Sequence, residues 1–319
     1  MNVLIWHVHG SWMTNFVQGP HTYLVPCEPG RGPDGRGRAQ TWEWPTTVVE
    51  RSADEVGDSD IDVLIVQNER QLDLADEWLG EQRRRAIPTI WLEHNAPQGA
   101  INAMCHPAKD RHDITVVHVT CTNALFWDTG DTESVVIEHG VIDPGDRWSG
   151  SVNRTGVVIN EPLRRWRVTG SDLLAEFAPV TGLDLFGLGA GEFAAALDQP
   201  CWLTAHGEPR QDRLHDELAL RRCYLHPFRW TSLGLSLIEA MMLGMPVVAL
   251  ATTDIPDSVP STCGVVSNDL RILRDGVTRF RTDPDVARIV GGAARRHALD
   301  RFALDRFLSE WDLLLEAIT

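Results

Sequence analysis

The stretch from His226 to Leu250, HPFRWTSLGLSLIEAMMLGMPVVAL, limits what this chain can fold into more than any other. Pro227 to Leu233 reads as an irregular loop. From about Gly234 to Leu243 the pattern is helical, with Leu235, Ile238, Met241 and Met242 recurring on one face. Gly244 can end that helix because it has no Cβ, and Pro246 follows shortly after. Val247 to Leu250 is a short apolar run, read as a buried strand. Such a unit leaves several N–H groups at the helix start without intrahelical partners. The helix dipole adds partial positive charge there, worth ~0.3–1 kcal/mol per anion contact at an exposed site. A diphosphate suits that place. Glu239 falls roughly one and a half turns further in, within reach of sugar hydroxyls lying across the helix start. The plain alternative is an ordinary loop–helix–strand packing unit with a surface Glu.

Short apolar runs alternate with helical patterns along the rest of the chain. Strands are expected at 3–9, 21–26, 46–50, 63–66, 89–92, 115–120 and 134–138. After the polar, glycine-containing stretch 148–154 a second series begins, at 156–159, 183–186, 201–205, 247–250 and 263–266. Helices are expected at 69–85, 171–177, 192–197, 211–219, 284–296 and 304–318. This alternation predicts an α/β protein of two Rossmann-like domains facing a cleft, residues 1–149 and 150–319. A chain of 319 residues is long enough for both.

Charge narrows the partners. A net charge of -16 argues against broad binding to nucleic acid or anionic membranes. Lys109 is the only lysine, so any cationic phosphate contact must come almost entirely from Arg, whose planar fork suits it. The six Cys contain no C-x-x-C pair and read as reduced thiols. Met1 to Val8 is too short for a signal peptide and no run reaches membrane-spanning length, so the expectation is a soluble, cytoplasmic protein.

Several residues sit where open α/β sheets bind ligands, beyond the carboxyl ends of strands. Gly10 and Ser11 are read as a loop off the first strand that allows close backbone approach. Trp12 is the Trp nearest that cleft, and is read as an acceptor platform. Glu28 to Arg38, rich in Gly, Pro and Arg, cannot pack and reads as a mobile loop or an acceptor-side lid, a solvated loop being the plainer reading. His94 follows the strand at 89–92. Arg164, Arg165 and Arg167 crowd the loop after the strand at 156–159, dense positive charge for so acidic a chain. Cys105, His106, His112 and His118 match no zinc spacing.

Leu233-Gly-Leu-Ser-Leu-Ile-Glu-Ala-Met followed by Leu-Gly-Met-Pro-Val-Val-Ala resembles the donor-site segment of retaining GT-B glycosyltransferases of the family 4 type, E-G-F-G-L-x-x-x-E-A-M-A-x-G-x-P-V-V-A. The resemblance implies a sugar nucleotide held along Thr231, Ser232, Leu233, Gly234, Leu235 and Ser236, with Glu239 on the ribose. Thr231 replaces the first Glu of the motif, which in the family touches the donor sugar. The family's diphosphate-binding Arg and Lys would be represented by two of Arg164, Arg165 and Arg167, because Thr169 stands where the Lys is expected. His94 would hydrogen-bond the donor sugar, and the Gly10–Ser11 loop would lie near diphosphate and acceptor. His206 and Gly207 would border the nucleobase, largely through backbone. His139-Gly140-Val141-Ile142-Asp143 is similar to the N-G-V-D segment closing the first domain, and the last helix would cross back to that domain. Also implied are same-face transfer to a small-molecule or glycan acceptor and no metal or other cofactor. The rival readings are a non-hydrolysing sugar-nucleotide epimerase, which needs cleft carboxylates that do not stand out, and a catalytically weak sugar-nucleotide binder.

Overall fold

The computed structural model describes residues 1–319. The chain forms two compact units, Met1–Gly140 with Leu304–Thr319, and Val141–Ala303. The division falls before the stretch 148–154 because Val141 to Val152 already bond within the second unit. Val141 N–H donates to Phe302 O, and Trp148 Nε1 to Arg221 O.

The first unit is built on seven strands: β1 (Asn2–Ile5), β2 (Thr22–Pro26), β3 (Val48–Arg51), β4 (Val63–Val66), β5 (Thr89–Glu93), β6 (Ile114–His118) and β7 (Ser134–Val136). They pair in the order β3-β2-β1-β4-β5-β6-β7, all parallel. β4 and β5 are buried at every residue, as the near-continuous apolar runs of a sheet covered on both faces require. The final helix, Leu304–Ile318, completes this unit. Its Phe307 and Trp311 enter an aromatic cluster with Trp12 and Phe16, ring centroids 4.8–6.5 Å apart. Gly140 lies against that helix so closely that a Cβ would stand 2.2 Å from Phe307 Cβ.

Two expectations in this unit are corrected. The helix expected at 69–85 is two, Glu69–Leu79 and Glu81–Ala86, broken at Gly80, whose φ of 78° a side chain would resist. The segment Glu28–Arg38 is pinned. Asp34 O accepts Trp6 Nε1–H at 3.0 Å, Asp34 pairs with Arg70, Glu50 holds Arg31 and the Arg38 amide, and Gly37 O lies 2.9 Å from His7 Nδ1. Its glycines and proline prevent regular structure, but its arginines and carbonyls find partners.

The second unit holds β8 (Val152–Val158), β9 (Leu183–Phe186), β10 (Leu203–Gly207), β11 (Arg221–His226), β12 (Val247–Ala249) and β13 (Gly264–Val266). The order is β10-β9-β8-β11-β12-β13, again wholly parallel. The strand order reverses direction between β8 and β11, and between β1 and β4 in the first unit. Ligands in open α/β sheets bind at such switch points, beyond the carboxyl ends. No helix is long and apolar enough to cross a membrane.

Candidate active site

At the switch point of the second unit two loops leave the carboxyl ends of β8 and β11. The β11 loop enters the helix Leu235–Met242, capped by Gly234 with no side-chain cap bond. The helix buries Leu237, Ile238, Ala240, Met241 and Met242, all without solvent exposure, in the core under the sheet. Its first amides stay at the mouth. Two hydroxyls clasp the loop from behind: Thr252 Oγ1 donates to Phe228 O at 2.7 Å and Thr253 Oγ1 to Ser232 O at 3.2 Å. Leu233 is buried, while Thr231, Ser232, Gly234, Leu235 and Ser236 are half-buried.

The β8 loop contains one helical turn, Pro162–Arg165, between two non-glycine residues of positive φ, Glu161 (55°) and Trp166 (27°). Such backbone costs of order 1–3 kcal/mol each and gathers at functional sites. The two loops are stitched together. Arg229 N–H donates to Val168 O at 2.9 Å, and Gly170 packs so tightly that a Cβ would stand 1.9 Å from Pro227 O.

This geometry separates the three arginines. Arg164 is exposed and folds back on Glu161, its Nε 2.8 Å from the carboxylate. Arg167 is exposed and shares Asp172 with Arg229. Arg165 turns inward and forms no ion pair; its guanidinium carbon lies 5.9 Å from the Phe228 ring centre. Burial, then the charge of Arg164, lowers the pKa of Arg165. Its charge acts in turn on His226, which stacks on Phe228 at 4.1 Å. A Cβ on Gly234 would lie 2.7 Å from His226 Cε1. Arg165, Phe228, His226 and the helix mouth are thus one contiguous group.

Glu239 is buried on the first turns of that helix, its carboxylate 3.5 Å from His215 Nε2. His215, on the helix Gln211–Ala219, also lies 2.8 Å from Gln211 Nε2. Nothing in the residue spacing singled out His215. His206 and Gly207 end β10 where a loop was expected. The His206 ring stacks on Phe186 at 4.6 Å and reaches toward Asp184 and Arg221. Its side chain therefore belongs to the buried Asp184–Arg154–Arg221 network, and only Gly207, φ 67° with open space around its Cα, presents free backbone.

In the first unit Gly10 and Ser11 are the first turn of a helix, Gly10–Phe16, where a loop was expected. Their carbonyls accept from Thr14 Oγ1 and Asn15 Nδ2 at 2.8 and 2.9 Å. Trp12 is a core residue, 2% exposed, so it offers no platform to a ligand. Apolar spacing along the helix, with Met13 and Phe16 also buried, draws it inward. His94 follows β5, buried, its ring 4.4 Å from His9 and 5.1 Å from Trp12. Burial, then the neighbouring His9 and His139, hold its pKa well below the usual value. On the other side of the same strand end, Glu93 is buried against His106 at 3.3 Å. Beside it a cavity of about 400 Å³ is lined by Gln67, Asn68, Trp91, Asn95 and Trp127 among others. Indole faces beside amides and a carboxylate are the lining that fixes a polar ligand with an apolar face.

Residues 173–283 match the family model of glycosyl transferases group 1. The match lies wholly within the second unit. The matched segment begins just after the arginine loop, without Arg164, Arg165 or Arg167, and takes in His215, the helix mouth and Glu239. Comparison with curated proteins by sequence returns no match. Among solved structures, TarM of S. aureus in complex with UDP, Fondaparinux and alpha-GlcNAc-glycerol is similar at TM-score 0.62 and 13% identity, over 79% of this chain. This chain spans 55% of that protein's length. Sucrose-phosphate synthase of Thermosynechococcus elongatus is similar at TM-score 0.71 and 14% identity, over 99% of this chain and 98% of that one. Anabaena HepE in complex with UDP is similar at TM-score 0.72 and 13% identity, over 99% of this chain and all of that one. At these identities the likeness is one of fold, and the fold is GT-B: two Rossmann-like units, here of seven and six parallel strands.

Proposed function

We propose that this chain is a glycosyl transferase that moves a sugar, with retention, from a nucleoside diphosphate to an acceptor hydroxyl. The reading is carried by Arg165, a half-buried guanidinium without a carboxylate partner beside the open N-terminus of a helix at a switch point. An unpaired buried charge is costly, and a diphosphate there would satisfy both it and the free amides. As the bond from the anomeric carbon to phosphate breaks, negative charge grows on the leaving diphosphate. Preorganised amides and Arg165 stabilise that charge more than the ground state, which lowers the barrier. The acceptor oxygen bonds to the anomeric carbon on the same face, and its proton passes to a phosphate oxygen of the leaving group. No side-chain nucleophile and no metal enter this scheme. Glu239 takes the ribose, Gly207 borders the base, and His94 serves as a neutral hydrogen-bonding imidazole.

Incubation with UDP-, GDP-, ADP- and dTDP-sugars tests the reading, with UDP donors first because TarM and HepE were solved with UDP. Release of nucleoside diphosphate dependent on an acceptor, an unchanged anomeric configuration and full activity in a chelator are expected. Isomerised donor sugar would instead make this an epimerase. Thermal stabilisation without turnover would make it a binder, a reading that Thr231 and Thr169 favour by lacking the charge of the family's Glu and Lys.

The arginines give a sharper contrast. Arg165→Ala is expected to weaken nucleoside diphosphate binding by about 10–100-fold, the scale of one charge-assisted contact of ~1.5–3 kcal/mol. Arg164→Ala and Arg167→Ala should each change it less than about threefold, since exposed ion pairs are worth ~0–1 kcal/mol. Calorimetric titration of the three variants decides. An Arg165 variant that binds like the other two removes the diphosphate from this loop.

A further inference from the structure

His226 ends β11 with no solvent exposure. Its two ring nitrogens have different surroundings. Nδ1 lies 3.4 Å from Tyr224 Oη, and that hydroxyl lies 2.9 Å from Ser236 Oγ, in the first turn of the Leu235–Met242 helix. If Ser236 donates to Tyr224 and Tyr224 to Nδ1, the ring must carry its hydrogen on Nε2. Nε2 is buried and meets no hydrogen-bond partner. It lies 3.3 Å from where a Cβ on Gly234 would stand, so it is turned toward the helix cap. A buried donor without an acceptor destabilises the empty site and is met only if something binds there. Burial, then the charge of Arg165, pushes the His226 pKa down to about 3, so the ring stays neutral beside the guanidinium.

We propose that His226 is a donor-binding residue whose Nε2–H bonds an oxygen of the nucleoside diphosphate at the helix mouth, and that Ser236 and Tyr224 select the tautomer that makes this possible. The inference rests on the diphosphate reading above. It assigns separate parts to the two side chains: Arg165 supplies charge, and His226 supplies a directed donor that adds none. It also gives Gly234 a reason, because any side chain there would collide with the ring that the site needs.

Long-range proton–nitrogen spectra of the ¹⁵N-labelled full chain test it with UDP as probe, and with GDP, ADP and dTDP if UDP does not bind. Free protein should show His226 protonated on Nε2, and saturating nucleotide should shift that nitrogen far more than Nδ1. Tyr224→Phe should mix the tautomers and weaken binding about 3–10-fold. His226→Leu, of similar volume, should weaken it about tenfold, and His226→Gln, which restores an N–H, should recover most of the loss. A wild-type protein that binds nucleotide with its Nε2 signal unmoved, or free protein protonated on Nδ1, overturns the assignment while leaving the diphosphate reading intact. A wild type that binds none of the four nucleotides overturns both.

Discussion

Glu239→Ala is expected to lower kcat/KM for the sugar nucleotide by on the order of 100-fold or more, and to weaken the free nucleotide nearly as much. A carboxylate accepting from two ribose hydroxyls makes two charge-assisted bonds, each worth about 1.5–3 kcal/mol. The fold should survive, because the helix that carries Glu239 is held by Leu237, Ile238, Met241 and Met242, none of which changes. The truncation also frees His215, whose contact with Glu239 spans 3.5 Å. Glu239→Gln separates the two effects: it keeps the shape and loses the charge, and should fall between alanine and wild type. Isothermal titration with the nucleotide, alongside initial rates, reads both quantities. Nucleotide affinity within threefold of wild type in the alanine variant would take Glu239 out of the site.

Stability should fall steeply as the solution turns acid, beginning in the first unit. His94 and His118 there, and His226 in the second unit, are buried and held neutral. Burial is the leading cause in each, followed by neighbouring His for His94 and His118 and by Arg165 for His226. The folded values lie below the unfolded one, about 4 for His118 and about 3 for His226. Below pH ~6.5 the unfolded chain therefore binds protons that the folded chain refuses, and folding weakens as pH drops. Above that pH the contribution is complete. Each such group costs up to ~1.4 kcal/mol per pH unit. The first unit, where burial lowers His7 as well, should lose nearly 3 kcal/mol per unit from His94 and His118 alone, a large share of a typical ~5–15 kcal/mol domain stability. Urea midpoints between pH 7.5 and 4.5 would show it, with His118→Asn flattening the slope of the first transition by about half. A midpoint that is level or rises between pH 6.5 and 5 contradicts the argument.

The helix mouth was legible because its parts are local. The period of Leu235 to Met242, the stop at Gly244 and the run Val247–Val248–Ala249 depend on near neighbours, and all three stand in the structure. Which arginine faces inward was not legible. It follows from positive φ at Glu161 and Trp166 and from carboxylates at Glu161 and Asp172 that hold the other two. Trp12 shows the opposite failure, since an aromatic at the start of a helix can face core or crevice and only the arrival of Phe307 and Trp311, far along the chain, decides. Two helices absent from the expectation carry readable signals all the same. Ser52 and Glu55 form a capping box before Ala53–Asp58. Leu270, Leu273, Val277 and Phe280 mark one face of Leu270–Thr282, with Asp269 as cap. The His226 tautomer was beyond sequence altogether, since it depends on side chains meeting across a strand and a helix.

The return of residues 304–319 to the first unit has a bearing on biosynthesis. Phe307 and Trp311 are emitted from the ribosome after every residue of the second unit, yet Trp12 and Phe16 wait for them. The first unit is therefore finished after the second, and a nascent chain holds an open aromatic face until residues 304–319 have emerged. Released chains that end just before Leu304 should accordingly be more prone to chaperone capture than released chains that include residues 304–319.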